Sequence, residues 1–414
     1  MIIMLNPKTN ERELAYVVRI DAIEPITGSD NCEAAVVGGW RVMTRKGTFK
    51  VGDLAIYFEI DSKVPETETF AFLEKKHYKI KTQKYTFGGK GNFISQGLLM
   101  SAKDFGGTVY QDGSGIFYLH INGKSYAEGE FLTKDLGVTY ADTSDNKRKA
   151  NSADKYKKMA QRRPDIFKKK WAQWFMRRNW GRKLMFFFFG KKKDKKSGWP
   201  AWVSKTDEER IQNLVSMIPS FQTEKWIPTE KIDGTSTTFT MKRKIFGNNE
   251  FYVCSRNVVF DRSDKNCYYD TNVYIEMAEK YNIKNVLEDL LRANPDADFV
   301  TIQGETYGKD IQKRDYSINY HDFVAFNLIF GYRNGTKERY NPKDMASTLS
   351  LYAIPCVPFF EPIDLPDTCD EILALAAGES TIDGLPREGL VFRTLDGVRS
   401  FKAVDNGFLI KYHG

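Results

Sequence analysis

Two strand-like runs meet at a five-residue turn between residues 226 and 240, and this junction constrains the fold more than any other stretch. Trp226-Ile227-Pro228-Thr229 leads into Glu230-Lys231-Ile232-Asp233-Gly234, and Thr235-Ser236-Thr237-Thr238-Phe239-Thr240 leads out. Asp233 can bond its own turn. Gly234 lacks a side chain where a ligand backbone could come close, so Lys231 would point into a pocket mouth, a good seat for a nucleophile. The alternative for the same letters is a hairpin turn with a solvated lysine.

Five further stretches follow in a fixed order: Ser255-Arg256-Asn257, Gly304-Glu305-Thr306-Tyr307-Gly308, Asp322-Phe323-Val324-Ala325-Phe326, Arg387-Glu388-Gly389-Leu390-Val391-Phe392 and Ser400-Phe401-Lys402. With the lysine turn they make six short motifs in register. Their order resembles the covalent nucleotidyltransferases, the superfamily of ATP-dependent RNA ligases, DNA ligases and mRNA-capping enzymes. The resemblance covers residues 200 to 414 and is closest to nick-sealing RNA ligases with an OB domain ahead of the catalytic domain.

That resemblance implies an ATP-dependent RNA ligase that joins 3′-OH and 5′-phosphate ends through a lysyl-AMP intermediate, at nicks in duplex RNA or in an RNA/DNA hybrid. Lys231 would be the nucleophile. Lys402 would contact the α-phosphate, and as a second cation close by it would lower the pKa of Lys231. Glu305 would hold the ribose hydroxyls and, with Glu388, a Mg or Mn ion; buried carboxylates call for such a partner, the alternative being ion pairs to Arg387 or Arg393. Phe326 would stack on the purine, Arg256 would engage the nick phosphate and 3′ end, and Glu230 would join the cofactor site. The sequence departs from some relatives at Ser400, where they carry a lysine, and Arg399 or Lys411 is the candidate substitute. DNA ligases and capping enzymes carry their OB domain after the last lysine motif, whereas only residues 403–414 follow Lys402, which argues against both. The non-enzymatic alternative is an RNA-binding protein on a degenerate ligase fold, and the intact Lys231, Glu305, Glu388 and Lys402 weigh against it.

The fold class expected is α+β: an N-terminal OB-like β-barrel, then a nucleotidyltransferase domain of antiparallel sheets with flanking helices and the ligand between the sheets. Residues 1–140 would form the OB-like nucleic-acid-binding domain, 141–199 a basic linker or insertion, and 200–414 the adenylyltransferase domain. In the first region strands are expected at 14–20, 32–42, 54–60, 94–100 and 116–119, with Trp40, Arg41, Arg45, Lys46 and Lys50 either a nucleic-acid platform or a solvated barrel exterior. In the catalytic region strands are expected at 236–243, 250–255, 299–304, 323–330, 389–394 and 400–404, and helices at 272–281, 286–293, 343–352 and 369–377. Thr206 and Glu209 read as a capping box opening another helix through Ile218, with no catalytic role.

Net charge is +8, yet residues 147–197 hold 20 Lys and Arg against three Asp, so the rest of the chain is acidic. Within this block Phe167, Trp171, Trp174 and Phe175 fall at helical spacing among Lys168, Lys169, Lys170, Arg177 and Arg178. The pattern describes a basic amphipathic helix. The block from Lys147 to Lys196 would clamp RNA, pack on a neighbouring domain, or lie on an anionic membrane. Five scattered cysteines without a CxxC pair, no signal peptide and no membrane-length apolar run point to a soluble, cytoplasmic monomer in a reducing compartment.

Overall fold

The computed structural model describes residues 12–89, 91–141, 169–176, 180, 185, 199–260 and 271–413. Residues 1–140 and 201–414 form one compact unit and residues 141–200 a second. Most of the basic block, Phe167, Lys168, Arg177 and Arg178 among it, lies outside the described residues. Within the second unit a helix, α1, spans Lys170–Met176, and Trp171 and Trp174 on it are about half exposed, as is Trp180.

The N-terminal region is mostly β, with short 3-10 helices at Glu68–Lys76 and Ala102–Phe105. Its strands are β1 (Ala15–Arg19), β2 (Ala22–Pro25), β3 (Cys32–Val37), β4 (Trp40–Arg45), β5 (Leu54–Phe58), β6 (Ser62–Lys63), β7 (Gln83–Thr86), β8 (Asn92–Ser95), β9 (Leu98–Met100), β10 (Thr108–Gln111), β11 (Phe117–Ile121), β12 (Lys124–Ala127) and β13 (Thr139–Tyr140). Antiparallel sheets run β1-β5-β9 and β2-β3-β4. Strands β1 and β5 are buried on both faces, so period-two alternation feeds two cores: Ala15, Val17, Leu54, Ile56 and Phe58 enter one, and Tyr16, Val18, Ala55 and Tyr57 enter the other. That is why both read as unbroken apolar runs. The single strands expected at 32–42 and 94–100 are each two strands, broken by Gly38-Gly39 and by Gln96-Gly97.

The C-terminal region holds two sheets. One is four-stranded, ordered β14 (Glu209–Arg210), β23 (Ser400–Val404), β22 (Gly389–Thr394), β15 (Trp226–Lys231); the other is six-stranded, ordered β18 (Val259–Phe260), β17 (Glu250–Ser255), β16 (Thr235–Lys242), β19 (Ala297–Gly308), β20 (His321–Tyr332), β21 (Lys337–Arg339). Apart from the parallel pair β14–β23, neighbours run antiparallel. Helices α2 (Val273–Lys280), α3 (Ile283–Ala293) and α4 (Pro342–Ser350) cover the six-stranded sheet, and α5 (Cys369–Ala376) covers the other. In α3 the buried residues are Ile283, Val286, Leu287, Leu290 and Leu291, the spacing of one apolar stripe. The fold is therefore the expected α+β class, with antiparallel sheets and helices packed outside.

Two segments depart from the sequence reading. Residues 205–208 form no helix, and only short helical turns occupy 211–221. Thr206 bonds the Ser236 hydroxyl (2.9 Å) instead of capping a helix; tertiary contacts override the local capping signal there. Trp40 is no platform: it is buried, its indole N–H donating to Asn213 Oδ1 at 2.6 Å, and Arg41 pairs with Glu24 and Asp370. Both residues join the N-terminal region to the C-terminal one. Arg45, Lys46 and Lys50 remain exposed.

Candidate active site

Lys231 is the last residue of β15 and Thr235 the first of β16, so only three residues carry the chain from the four-stranded sheet to the six-stranded one. The lysine thus sits where the two sheets converge. Segment 355–363 ties them a second time, bridging Trp226 and Thr229 on one side and Ala325 on the other. Gly234 serves a different need from the one its sequence suggests. A Cβ there would meet Thr306 O at 2.4 Å and Glu305 Cγ at 2.9 Å, so the close approach is by the protein's own strand β19, which brings Glu305 to the turn.

Register completes one half of the site. Lys231 pairs with Gly389 across β15–β22, which sets Glu388 beside it, and Lys231 Nζ donates to Glu388 Oε2 at 2.8 Å. Asp233 anchors the turn, its N–H donating to the Tyr316 hydroxyl (2.6 Å). His413 Nε2, which the sequence reading did not single out, lies 3.3 Å from Asp233 Oδ1, while buried Asp233 Oδ2 has no partner. Burial drives the Glu305 carboxyl up to about 8 against the attraction of Lys231, with Glu388 and Asp233 adding repulsion.

This geometry corrects one expectation outright. Burial disfavours the Lys231 ammonium, but Glu388 and then Glu305 outweigh it, so the pKa of Lys231 stands above the ordinary lysine range, not below it. The lowered lysine is Lys402: burial and the like charges of Arg12, Arg210 and Lys231 outweigh the pull of Asp207. Neither alternative partner takes the carboxylates. Arg387 donates to the carbonyls of Leu375, Ala376 and Ala377, and Arg393 pairs with Glu208 at 3.0 Å.

The second half is centred on Asp207, a residue the sequence reading left without a role. Its carboxylate accepts from Lys402 Nζ (3.0 Å) and Arg256 Nη2 (2.8 Å) and lies 3.4 Å from Arg12 Nη1. Arg12 also binds Glu59 (2.8 Å) and Glu209 (3.4 Å), which brings the N-terminal region into the site. These cations hold the Asp207 carboxyl far below the usual range even though burial opposes its charge. Arg256 also lies over the Tyr140 ring at 4.9 Å. Arg210 stands beside Lys402 in the β14–β23 register and reaches Asp61 at 3.3 Å.

Phe326 is the extra residue of a β-bulge: Gln303 pairs with Asn327 and Gly304 with Ala325, leaving 326 unpaired. A bulge re-aims a side chain, and Phe326 packs against the buried cluster of Ile232, Tyr307, Tyr316, Val324 and Val357 instead of in the sheet core that holds Phe323. Glu230 is placed otherwise than expected. Its buried carboxylate accepts from Ser380 and from Thr381 N and Oγ1 (both 3.0 Å), so the side chain fixes the 380–381 loop. Arg399 does not replace the lysine absent at 400. One residue from Ser400, it takes the face opposite Lys402, where it pairs with Glu224 and lies over Phe221. Lys411 lies over the Tyr412 ring at 4.9 Å.

The carboxylates Glu305, Glu388 and Asp233 all act on Lys231, and one oxygen of Asp233 is unsatisfied. Among the described residues no three such side chains are close enough to grip an ion unaided, so ligand oxygens or water would have to complete its shell.

Two sheets thus converge on a lysine that has carboxylates on one side and cations on the other. Residues 224–413 match the RNA ligase family and residues 14–101 an OB-fold domain family, so the chain carries an OB fold ahead of an RNA ligase domain. Among solved structures, a lysine-to-alanine mutant of the Naegleria gruberi RNA ligase with ATP and Mn is 25% identical over 97% of this chain and 99% of its own, with a TM-score of 0.69. The same ligase with PPi is 26% identical over 96% and 98%, with a TM-score of 0.67. A lysine-to-methionine mutant with AMP and Mn is 25% identical over 97% and 99%, with a TM-score of 0.69. No curated protein sequence matches. Among the described residues no helix is long and apolar enough to cross a membrane.

Proposed function

We propose that Lys231 attacks the α-phosphorus of ATP, forming an Nζ–P bond as pyrophosphate leaves. The AMP then passes to a 5′-phosphate of RNA, and a 3′-OH attacks that activated end, forming the phosphodiester and releasing AMP. The observation that carries this reading is the 2.8 Å bond from Lys231 to Glu388 at the convergence of the sheets. Nζ must give up the proton it shares with Glu388, to solvent, before it attacks. In the ligand-free state the surrounding carboxylates keep that proton on, so neutralising them has to precede attack. Glu305 and Glu388, with Asp233, would hold Mg or Mn, which when bound supplies positive charge to the carboxylates and to an α-phosphate oxygen.

On the opposite side Lys402 and Arg12 would exchange Asp207 for phosphate oxygens, and Arg256 would engage the nick phosphate and 3′ end. Phe326 would stack on the base. The Naegleria ligase structures with ATP and Mn, AMP and Mn, and PPi support such a sequence. Residues 1–140 would be the nucleic-acid-binding domain, 141–199 a basic insertion and 200–414 the adenylyltransferase domain. The monomer would act in the cytoplasm on nicked duplex RNA or RNA/DNA hybrid in RNA repair.

Incubation with labelled ATP, and in parallel labelled GTP, followed by denaturing electrophoresis tests the first step. An acid-labile, base-stable AMP adduct that requires a divalent ion is expected. Label from GTP alone, or none from either, would overturn the reading.

A further inference from the structure

Gln303 on β19, Asn327 on β20 and Arg393 on β22 are polar side chains that are each 1% exposed. Buried polar groups have to be bonded, and here the bonds close a ring. Arg393 Nη2 donates to Glu208 Oε1 at 3.0 Å and Arg393 Nη1 to Asn327 Oδ1 at 2.6 Å. Asn327 Nδ2 donates to Gln303 Oε1 and Gln303 Nε2 to Ser204 O, both at 2.8 Å. The main chain from Ser204 to Glu208 completes the circuit. The ring thus joins the four-stranded sheet, through β22, to β19 and β20 of the six-stranded one.

Two groups of the cleft are set by this ring. Asp207 is the chain neighbour of Glu208, and Phe326 is the chain neighbour of Asn327. Arg393 Nη1 also donates to the Phe326 carbonyl, and the guanidinium carbon lies 5.9 Å from the centre of the Phe326 ring. Gln303 and Asn327 are the paired residues on one side of the bulge, Gly304 and Ala325 those on the other. A bulge displaced by one residue would turn Phe326 to the other face, because side chains alternate along a strand. The bond between Gln303 and Asn327 fixes the register at that point, and Arg393 holds Asn327 by its oxygen. Buried charged networks add little stability over apolar packing of the same volume, so what this one contributes is a defined position.

We propose that Arg393 is a positioning residue for the nucleotide: through Asn327 and the Phe326 carbonyl it aims the ring that stacks on the base, and through Glu208 it sets that ring against the segment carrying Asp207. It acts through these bonds and not on ATP itself. The inference rests on the ligase reading and deepens it by naming what aims Phe326.

The test follows adduct formation in single turnover over a range of labelled ATP with Mg, together with the melting of each protein. Removing Arg393 alone would leave the mostly buried Glu208 charge unpaired, so the variant is Arg393→Gln with Glu208→Gln. Half-saturating ATP should rise roughly two- to tenfold, while the rate at saturation changes by less than about twofold. The same two changes placed in a Phe326→Leu protein should add less than about twofold, since the ring they misplace is already gone. Glu208→Gln by itself should move half-saturation the same way by about two- to threefold, and it decides the matter if the paired variant does not fold. Half-saturation unmoved, whatever the melting temperature, would overturn the inference, as would a loss confined to the saturated rate or an effect that multiplies with that of Phe326→Leu. No adduct in the unaltered protein would overturn the ligase reading and this inference with it; a normal adduct with half-saturation unmoved in the variants overturns the inference alone.

Discussion

The two halves of the cleft are opposites in charge. Around Lys231 stand Glu388, Glu305 and Asp233, three carboxylates to one ammonium; around Asp207 stand Lys402, Arg256 and Arg12, three cations to one carboxylate. Each half is short of the sign that the other has in excess, and each central residue is held by its surroundings in the charged form. Such an arrangement is incomplete by itself, because buried like charges repel unless something of opposite sign joins them. A triphosphate and a divalent ion are a pair of that kind, one for each half.

The largest effect should come from removing the centre of the acidic half. Lys231→Ala is expected to abolish adduct formation from labelled ATP, and Lys231→Arg should not restore it because a guanidinium stays protonated. Next, Glu388→Ala should lower the adduct rate about a hundredfold, measured in single turnover, since the Lys231 partner and the donor proposed for the ion are both removed. Undiminished labelling in chelator would remove the ion from the scheme and break the comparison.

The centre of the cationic half is tested by stability. Asp207→Ala leaves buried cations without their carboxylate and should cost about 3 to 5 kcal/mol in denaturant melts. The sign with pH is set by the direction of the shift. The folded-state pKa of Asp207 lies below its unfolded value, so its contribution is fully present above about pH 4 and is lost as pH falls further. The gap between the native and Asp207→Asn proteins should therefore narrow in acid; a gap that widened there would contradict the assigned pairing. The smallest effect belongs to the aromatic: Phe326→Leu should raise the KM for ATP about two- to tenfold with little change in kcat, the scale of one stacking contact.

What sequence could reveal divides along the same line. The acidic half was legible because its residues lie in short motifs whose order is itself informative: Lys231, Glu305 and Glu388 all come together, and β17, β22 and β23 begin and end where alternation places them. The cationic half was only half visible. Lys402 and Arg256 lie in motifs, whereas Asp207 sits in an apparent capping box and Arg12 lies 195 residues away in another domain. Nothing local marks either, because their partners are set by tertiary packing. The direction of the Lys231 shift escaped for the same reason, since Lys402 spends its charge on Asp207. At Arg399 period-two parity was available in the sequence and decides the face.

The segment from Pro355 to Ile363 has a mechanical meaning. Its main chain bonds β20 through Ala325 N to Pro355 O (2.8 Å) and Val357 N to Ala325 O (2.8 Å), and bonds β15 through Glu230 N to Pro358 O (2.8 Å) and Phe360 N to Pro228 O (2.9 Å). It is a strut, and it fastens to both walls within a few residues of Phe326 and Lys231. Side chains can adjust by changing rotamer, but a backbone ladder holds its spacing near about 4.8 Å per strand. The gap between Phe326 and Lys231 is thus gauged by peptide geometry, and a substitution in the strut can alter that gap without touching either side chain.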